Sequence, residues 1–376
     1  MPSDFDNACM RRALALAAQG AGHVEPNPMV GCVIARDGQI LAEGWHQRFG
    51  GPHAEVDALS KLSSAADARG ATVYVTLEPC CFHGKTPPCT DALLAAQPAR
   101  VVIAMRDPFP KVAGGGIAIL QNAGMEVEVG LLEADARSLV APYLMLVEQQ
   151  RPWTLAKWAM TLDGKLASFS GDSQWISSEG SRAIVHQLRG RMDAIVVGRG
   201  TAQQDDPQLT ARPAGPRTPL RVVLDSLAAL SLESQLVRTA RETPVLIAVG
   251  PQADAAKLAA LENAGCEVWR DAALDPFVRL ANLWREFGRR RFTNVLVEGG
   301  AGLLGSLHDA QLIDEVHAFI APKLVGGASA PSPIGGMGAA TIAAGGRLDR
   351  PQIQILGEDL YVAGRVRREP APRPSV

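Results

Sequence analysis

Apolar positions recur with a helical period over residues 4–19, where Ser3 or Asp4 can cap the start and Gly20 stops the run. Two short apolar runs follow at 30–35 and 39–44, and Asp37-Gly38 between them is a hairpin turn signal. From there strand and helix patterns alternate. The spacing predicts a helix from His53, a strand over 72–77, a helix from about Pro88, a strand over 100–104, a helix near Ile117, a strand over 125–129 and a helix over 133–148. Arg151-Pro152 breaks this series and a second one begins: a strand over 154–159, a helix over 178–189, then strands over 193–197, 221–224, 245–249 and 294–297 with helices between them. Such alternation builds sheets covered by helices. Two α/β domains are therefore expected, 1–150 and 151–366, followed by a Pro- and Arg-rich tail at 367–376 expected to be disordered. No short-period repeat is visible.

Length and composition agree with two cores. At 376 residues the chain exceeds the size at which one core usually stops growing, and 47% hydrophobic with 20% charged residues is ordinary for a folded protein. A net charge of -2 and 5% aromatic residues offer little for a basic, stacking groove, so no nucleic-acid partner is expected and a small substrate fits better. The six cysteines are too few and too clustered for a disulfide scaffold, which favours a reducing compartment. Neither a basic-then-apolar leader nor an apolar stretch of about 18 residues is present. No membrane association is expected, and the location implied is cytoplasmic.

The first half carries a metal-ligand pattern. Pro52-His53-Ala54-Glu55 opens a helix, and Glu78-Pro79-Cys80 ends a strand before a loop that returns Cys89 near the next helix start. One imidazole and two thiolates suit Zn2+, and three protein ligands leave the open position that separates catalytic from structural zinc. Zinc lowers the pKa of its water toward neutrality. Glu55, two positions beyond His53 and not a ligand, can then carry a proton from water to departing ammonia. His-x-Glu followed by Pro-Cys is the pattern of zinc deaminases of nucleobases, although that pattern has two residues between its cysteines and this chain has eight. Cys81 is the rival ligand, read here as a bystander or a supporting residue; Cys9, Cys32 and Cys266 read as structural.

Pro26-Asn27-Pro28, Val30-Gly31-Cys32, Pro52-His53-Ala54-Glu55 and the stretch 76–89 with Lys85-Thr86-Pro87-Pro88 resemble the bifunctional riboflavin biosynthesis deaminase/reductase family, in which eight residues between the cysteines are usual. In the second half KWAMTLDGK (157–165), GDSQWI (171–176), Asp205-Asp206-Pro207 and Glu298-Gly299-Gly300 look like its reductase domain. The resemblance implies a cytidine-deaminase-like domain followed by a dihydrofolate-reductase-like α/β domain. It implies deamination of 2,5-diamino-6-(5-phosphoribosylamino)pyrimidin-4-one, then reduction of the ribosyl group to ribityl by NADPH. A homo-oligomer is expected by analogy. One position departs from the family: a His usually stands two places after the first cysteine, and here Phe82 does, with His83 next. Asn27 and His46 are candidate pocket residues of the deaminase.

In the reductase half, Gly300, Ala301, Gly302, Leu303, Leu304, Gly305 and Ser306 follow an apolar strand and open a helix, where glycines let backbone amides approach a diphosphate. The Rossmann context of a first βαβ unit with an acid about 20 residues on is missing, so the fold is not read as Rossmann. By resemblance the cofactor also touches Ala159, Trp175, Thr201, Asp205 and Ser226, while Ser173, Arg189, Leu209, Arg212 and Glu298 face the substrate. Arginines suit a ribose phosphate because guanidinium meets phosphate oxygens bidentately. Asp205, Lys157 and Glu298 are candidates to handle the proton that accompanies hydride transfer, with Asp205 favoured and Asp206 read as a turn residue. The alternatives are a deaminase of nucleic-acid or nucleoside bases joined to a non-catalytic binding module, and a zinc-stabilised scaffold without turnover.

Overall fold

A computed structural model of the chain describes residues 2–367, and its contacts divide into two compact units, Met1–Gln150 and Arg151–Val376. The tail expected at 367–376 lies outside the described residues except for Arg367, whose amide donates to the Arg347 carbonyl at 2.7 Å. Bounds below are those of the structure.

The first unit runs α1 (Asp4–Ala17), β1 (Gly31–Arg36), β2 (Gln39–Trp45), α2 (Ala54–Leu59), β3 (Thr72–Val75), α3 (Cys89–Ala96), β4 (Arg100–Ile103), α4 (Gly115–Asn122), β5 (Glu126–Val129), α5 (Glu133–Leu139) and α6 (Ala141–Gln149). Ser3 caps α1 in a reciprocal capping box with Asp6, and the helix ends at Ala17 in a 3-10 turn, two residues earlier than its apolar pattern suggests. Asp37 and Gly38 take φ of 53° and 76°, which makes the tight β1–β2 hairpin their sequence predicts. Among the described residues the sheet has five strands in the order β2-β1-β3-β4-β5, with β1 antiparallel to β2 and β3 and the rest parallel. One face packs Cys32, Ile34, Val73, Val75 and Val101 against the apolar sides of α2, α3 and α4; the other packs Val33, Tyr74 and Val102 against α1 and α6.

Two glycines set how closely helices approach this sheet. A Cβ on Gly31 would lie 2.0 Å from the Ala13 carbonyl oxygen of α1, and one on Gly44 would lie 2.3 Å from the Ala58 nitrogen of α2. Backbone therefore rests on backbone on both faces, and α2 is held where its first turn reaches the end of β3. The single helix expected over 133–148 is instead two. Pro142 has no N–H to donate and its ring crowds the carbonyl one turn back, so α5 stops and α6 starts around Val140.

Asp6 shows what holds the opposite end of the unit. Its buried carboxylate accepts from Tyr74 Oη and Arg100 Nη1, both at 2.7 Å, and from the Ser3 amide at 2.8 Å. Burial alone would push its pKa up, but the bonds from Arg100, Tyr74 and Ser3 outweigh it and hold the carboxyl well below the usual range. Because the folded pKa lies below the unfolded one, the stabilisation is complete above about pH 4 and is lost as pH falls. Asp6→Asn is expected to lower the unfolding free energy of this unit by about 2 kcal/mol at pH 7, with the gap from wild type closing in acid. Urea melts at several pH values measure it, and a gap independent of pH counts against the charge.

The second unit runs β6 (Trp153–Thr161), α7 (Glu179–Arg189), β7 (Ala194–Gly198), α8 (Arg199–Asp205), β8 (Leu220–Leu224), α9 (Gln235–Arg238), β9 (Val245–Val249), α10 (Ala255–Ala264), β10 (Glu267–Arg270), α11 (Pro276–Arg289), β11 (Asn294–Val297), α12 (Ala301–Asp309), β12 (Glu315–Ala321), β13 (Leu348–Leu356) and β14 (Asp359–Val366). Among the described residues these strands form one sheet, ordered β10-β9-β8-β7-β11-β6-β12-β14-β13. All neighbours are parallel except β14, which runs antiparallel to β12 and β13. Ile195, Val197, Val223 and Ile247 pack on one face against α9 and α10; Val196, Val222, Val295 and Val297 pack on the other against α11 and α12. The parallel arrangement brings the carboxyl ends of β7, β8 and β11 to one edge, where ligands of open α/β sheets bind.

Candidate active sites

In the first unit, α2 and α3 both begin at the end of β3. His53 is the residue before α2, and Cys89 is the first residue of α3. His53 Nδ1 lies 3.4 Å from Cys80 Sγ and 3.3 Å from Cys89 Sγ, and the three ligand atoms fall within 4.8 Å of one another. Bond lengths near 2.0 Å to nitrogen and 2.3 Å to sulfur separate tetrahedral ligands by about 3.5–3.8 Å, so the triangle fits zinc and leaves a fourth position for a non-protein ligand. The eight-residue spacing is accommodated because the loop returns through Pro87 and Pro88 and the Cys89 amide donates to Cys80 Sγ at 3.2 Å. That bond, the Cys89 side chain first of all, and His53 favour the Cys80 thiolate and push its pKa down. The hydrogen bond that His53 Nδ1 donates to the Cys80 thiolate in turn raises the pKa of His53.

Glu55 sits on the first turn of α2, 3% exposed, with its carboxyl against Cys89. Burial, then the Cys80 charge, raises its pKa. His46 is buried beside His53, ring centroids 5.1 Å apart. Its Nδ1 meets the Pro52 carbonyl at 2.9 Å and must donate, which leaves Nε2 to accept from Asn27 Nδ2 at 3.3 Å. Burial lowers the His46 pKa, so the neutral ring is favoured. Cys81 stands outside the triangle: its thiol points to the Lys111 carbonyl at 3.7 Å. Phe82 lies against Phe109, ring centroids 6.1 Å apart.

In the second unit, Lys157 on β6, Arg189 at the end of α7 and Glu298 just beyond β11 converge. Arg189 grips Glu298 bidentately, Nε to Oε1 at 2.6 Å and Nη2 to Oε2 at 2.9 Å, and Lys157 Nζ lies 3.6 Å from Oε2. Burial pushes Glu298 up, but Arg189 and Lys157 outweigh it and bring the carboxyl down to about 2. Lys157 is itself pushed down, by burial before anything else. Ser173 Oγ donates to Asp205 Oδ1 at 3.2 Å, and the Asp205 charge is close enough to act on Lys157.

Other candidates are more scattered. Arg212 bonds Gln208 Oε1 at 3.1 Å rather than joining Glu298, and buried Leu209 turns at a φ of 52°. Ser226, beyond β8, accepts from Arg279 Nη2 at 3.0 Å. Trp175 is exposed, with the Arg182 guanidinium 4.8 Å from its ring centroid, and Ala159 belongs to a small packed cluster on β6. Within the glycine-rich run, no side chain caps α12 at Gly300; a Cβ there would lie 3.5 Å from Thr201 Oγ1, and one on Gly302 would meet nothing within 4 Å. An uncapped helix start with open glycines fits a phosphate-bearing cofactor. Ala301 and Leu303 continue that first turn, whereas Leu304 and Gly305 are buried in packing and Ser306 Oγ bonds back to the Gly302 carbonyl. His186 was not among the sequence candidates. It shares the Thr210 carbonyl with Arg189, at 3.1 Å from Nδ1 and 3.2 Å from Arg189 Nη1, and the i,i+3 spacing of the two on α7 was the available signal.

These two sites define a chain that pairs a zinc deaminase with a reductase, and comparison with known proteins agrees. Residues 3–105 match the cytidine and deoxycytidylate deaminase zinc-binding region, and residues 152–362 match the RibD C-terminal domain. The chain is 43% identical to the riboflavin biosynthesis protein RibD of Actinobacillus pleuropneumoniae, over 94% of this chain and 93% of that protein, and 40% identical to that of Escherichia coli K12, over 85% and 89%. Among solved structures, RibD of Acinetobacter baumannii superposes with a TM-score of 0.84 at 34% identity, covering 97% of this chain and 99% of that one. A diaminohydroxyphosphoribosylaminopyrimidine deaminase/5-amino-6-(5-phosphoribosylamino)uracil reductase of Thermotoga maritima superposes with a TM-score of 0.83 at 35% identity, covering 96% and 99%. The chain belongs to the RibD family: it is a bifunctional deaminase and reductase of riboflavin biosynthesis. No helix among the described residues is long and apolar enough to cross a membrane.

Proposed function

We propose that the first unit hydrolytically deaminates 2,5-diamino-6-(5-phosphoribosylamino)pyrimidin-4-one, and that the second reduces the ribosyl group of the product with NADPH to give 5-amino-6-(5-phosphoribitylamino)uracil. The observation that carries this reading is the His53, Cys80 and Cys89 triangle with buried Glu55 against it. Zinc on those three residues supplies an acidified water as nucleophile. Glu55 takes a proton from that water and delivers it to the departing amino group. His46, neutral and engaged on both ring nitrogens, lines the pocket and fixes the Asn27 amide, whose oxygen is left to face the pyrimidine.

NADPH supplies hydride to C1 of the ribosyl group; its diphosphate would lie at Gly300 and Gly302, and its remaining contacts would come from Ala159, Trp175, Thr201 and Ser226. Arg189 and Arg212 attract the substrate phosphate, and Glu298 holds the Arg189 guanidinium in one orientation. Reduction at C1 would break its bond to the sugar ring oxygen, which would then need a proton. Asp205, held by Ser173 and near Lys157, handles that proton. On the same reading the enzyme works in the cytoplasm as a homo-oligomer.

The test is a coupled assay with the diaminopyrimidinone ribotide, following ammonia release and then NADPH oxidation, before and after zinc removal by a chelator. Chelation is expected to abolish ammonia release and to leave NADPH oxidation intact when the deaminated intermediate is supplied. Ammonia release that survives full zinc removal would overturn the assignment of His53, Cys80 and Cys89.

A further inference from the structure

Glu78 ends the segment that leads from β3 into the first cysteine ligand, and its side chain turns away from the metal triangle. Only 3% exposed, its carboxylate accepts four backbone N–H groups, two from the loop after β4, Asp107 at 3.3 Å and Gly114 at 3.1 Å on Oε2, and two from the first turn of α4, Gly116 at 3.1 Å and Ile117 at 3.2 Å on Oε1. Its own amide donates to the Met105 carbonyl at 3.0 Å. The 105–117 segment is thereby tied at both ends to one residue. It is also pressed onto the cysteine segment, since a Cβ on Gly116 would lie 2.1 Å from the Pro79 carbonyl oxygen and one on Gly115 would lie 3.0 Å from Cys81 Sγ.

The segment carries two side chains onto Phe82 of the cysteine-bearing loop. Asp107 accepts from the Phe109 amide at 2.9 Å and from Tyr143 Oη at 2.9 Å, which fixes Phe109 against Phe82. Lys111 places its ammonium 5.9 Å from the Phe82 ring centroid, while its carbonyl meets the Cys81 thiol. Phe82 is two residues beyond the ligand Cys80, so an aromatic pair and a cation meet on the loop that carries the cysteine ligands.

We infer that Glu78 is a positioning residue for substrate binding in the deaminase: its carboxylate holds the 105–117 segment so that Phe109 and Lys111, with Phe82, form a wall that receives the phosphoribosyl arm of the substrate. A cation on that wall suits a phosphate monoester, and an apolar pair beneath it excludes water from the base. This inference rests on the deaminase reading above. It assigns Glu78 to the wall and not to the metal, so the two roles separate in kinetics.

The experiment is steady-state ammonia release by the full chain as Glu78→Ala, Glu78→Gln and Lys111→Ala, with zinc content and NADPH oxidation measured beside it. Losing the loop's anchor is expected to raise KM roughly ten-fold in Glu78→Ala, with kcat within about two-fold and zinc content unchanged. Glu78→Gln keeps one acceptor oxygen and is expected to recover part of the loss. Lys111→Ala, at an exposed position, is expected to raise KM without a folding cost and decides the matter if Glu78→Ala fails to fold. Zinc lost in step with kcat would move Glu78 to the metal and overturn the inference, as would an unmoved KM in Lys111→Ala. A wild type that releases no ammonia overturns the deaminase reading and this inference together; an active wild type with unmoved KM in the variants overturns this one alone.

Discussion

Glu55→Gln is expected to cut ammonia release by roughly a thousand-fold while zinc content and NADPH oxidation on supplied intermediate stay at wild-type values. Glutamine matches glutamate in size and can still hydrogen-bond to Cys89, so the pocket keeps its shape. What it cannot do is accept a proton and return it. Glu55 is buried on the first turn of α2 against Cys89, and burial pushes its pKa up. Activity of the variant within ten-fold of wild type would remove Glu55 from the proton path. Loss of zinc together with activity would show instead that its role is to support the ligands.

Glu298→Gln is expected to damage the second unit in two ways. Glutamine cannot neutralise Arg189 and Lys157, both of which the folded chain holds against the carboxylate. Two cations left without their counter-charge in a buried site should cost roughly 3 kcal/mol of unfolding free energy. The acid dependence has a definite sign. A folded pKa of about 2 lies below the unfolded value near 4.5, so the stabilisation is complete above about pH 4.5 and is lost as pH falls toward 2. The same substitution loosens Arg189, and the reductase is expected to lose about a hundred-fold in kcat/KM while ammonia release is spared. Urea melts at pH 7 and pH 3, with NADPH oxidation beside them, read both effects. Equal stability of variant and wild type at pH 7 would mean that solvent already screens the triad.

Much of this was legible in the chain itself. The metal site was readable because a zinc centre needs particular donor atoms at a strand end and a helix start, and such positions announce themselves as Pro-His-x-Glu and Pro-Cys. The α/β alternation likewise gave the central strands β7, β8, β9 and β11, whose apolar runs, broken by Arg221 in β8 and preceded by Asn294 in β11, reflect burial on both faces. The α5–α6 break was missed because the apolar period continues through Pro142; a backbone effect interrupts what the side chains would allow. The β13–β14 hairpin was missed for the opposite reason, since Ile353 and Ile355 alternate with glutamines as a strand should, yet both lie exposed on the edge strand. Within the sites, the triad joins Glu298 to Lys157 and Arg189, each more than a hundred positions earlier, and resemblance alone could nominate them. Nothing in a local pattern tells that Glu298 serves the arginine, that His186 shares its carbonyl, or that Glu78 looks away from the metal.

Each proposed site is assembled from residues of its own unit, 27–111 in the first and 157–306 in the second. A consequence concerns dosage. Every chain made carries both centres, so synthesis cannot alter the ratio in which the two capacities are produced. If the first step ran faster than the second, more protein would raise both and leave the imbalance where it was. Balance between the steps must be set in the rate constants themselves, at residues such as Glu55 and Glu298, and a change at either shifts the proportion of intermediate to end product in a way that no change in expression can restore.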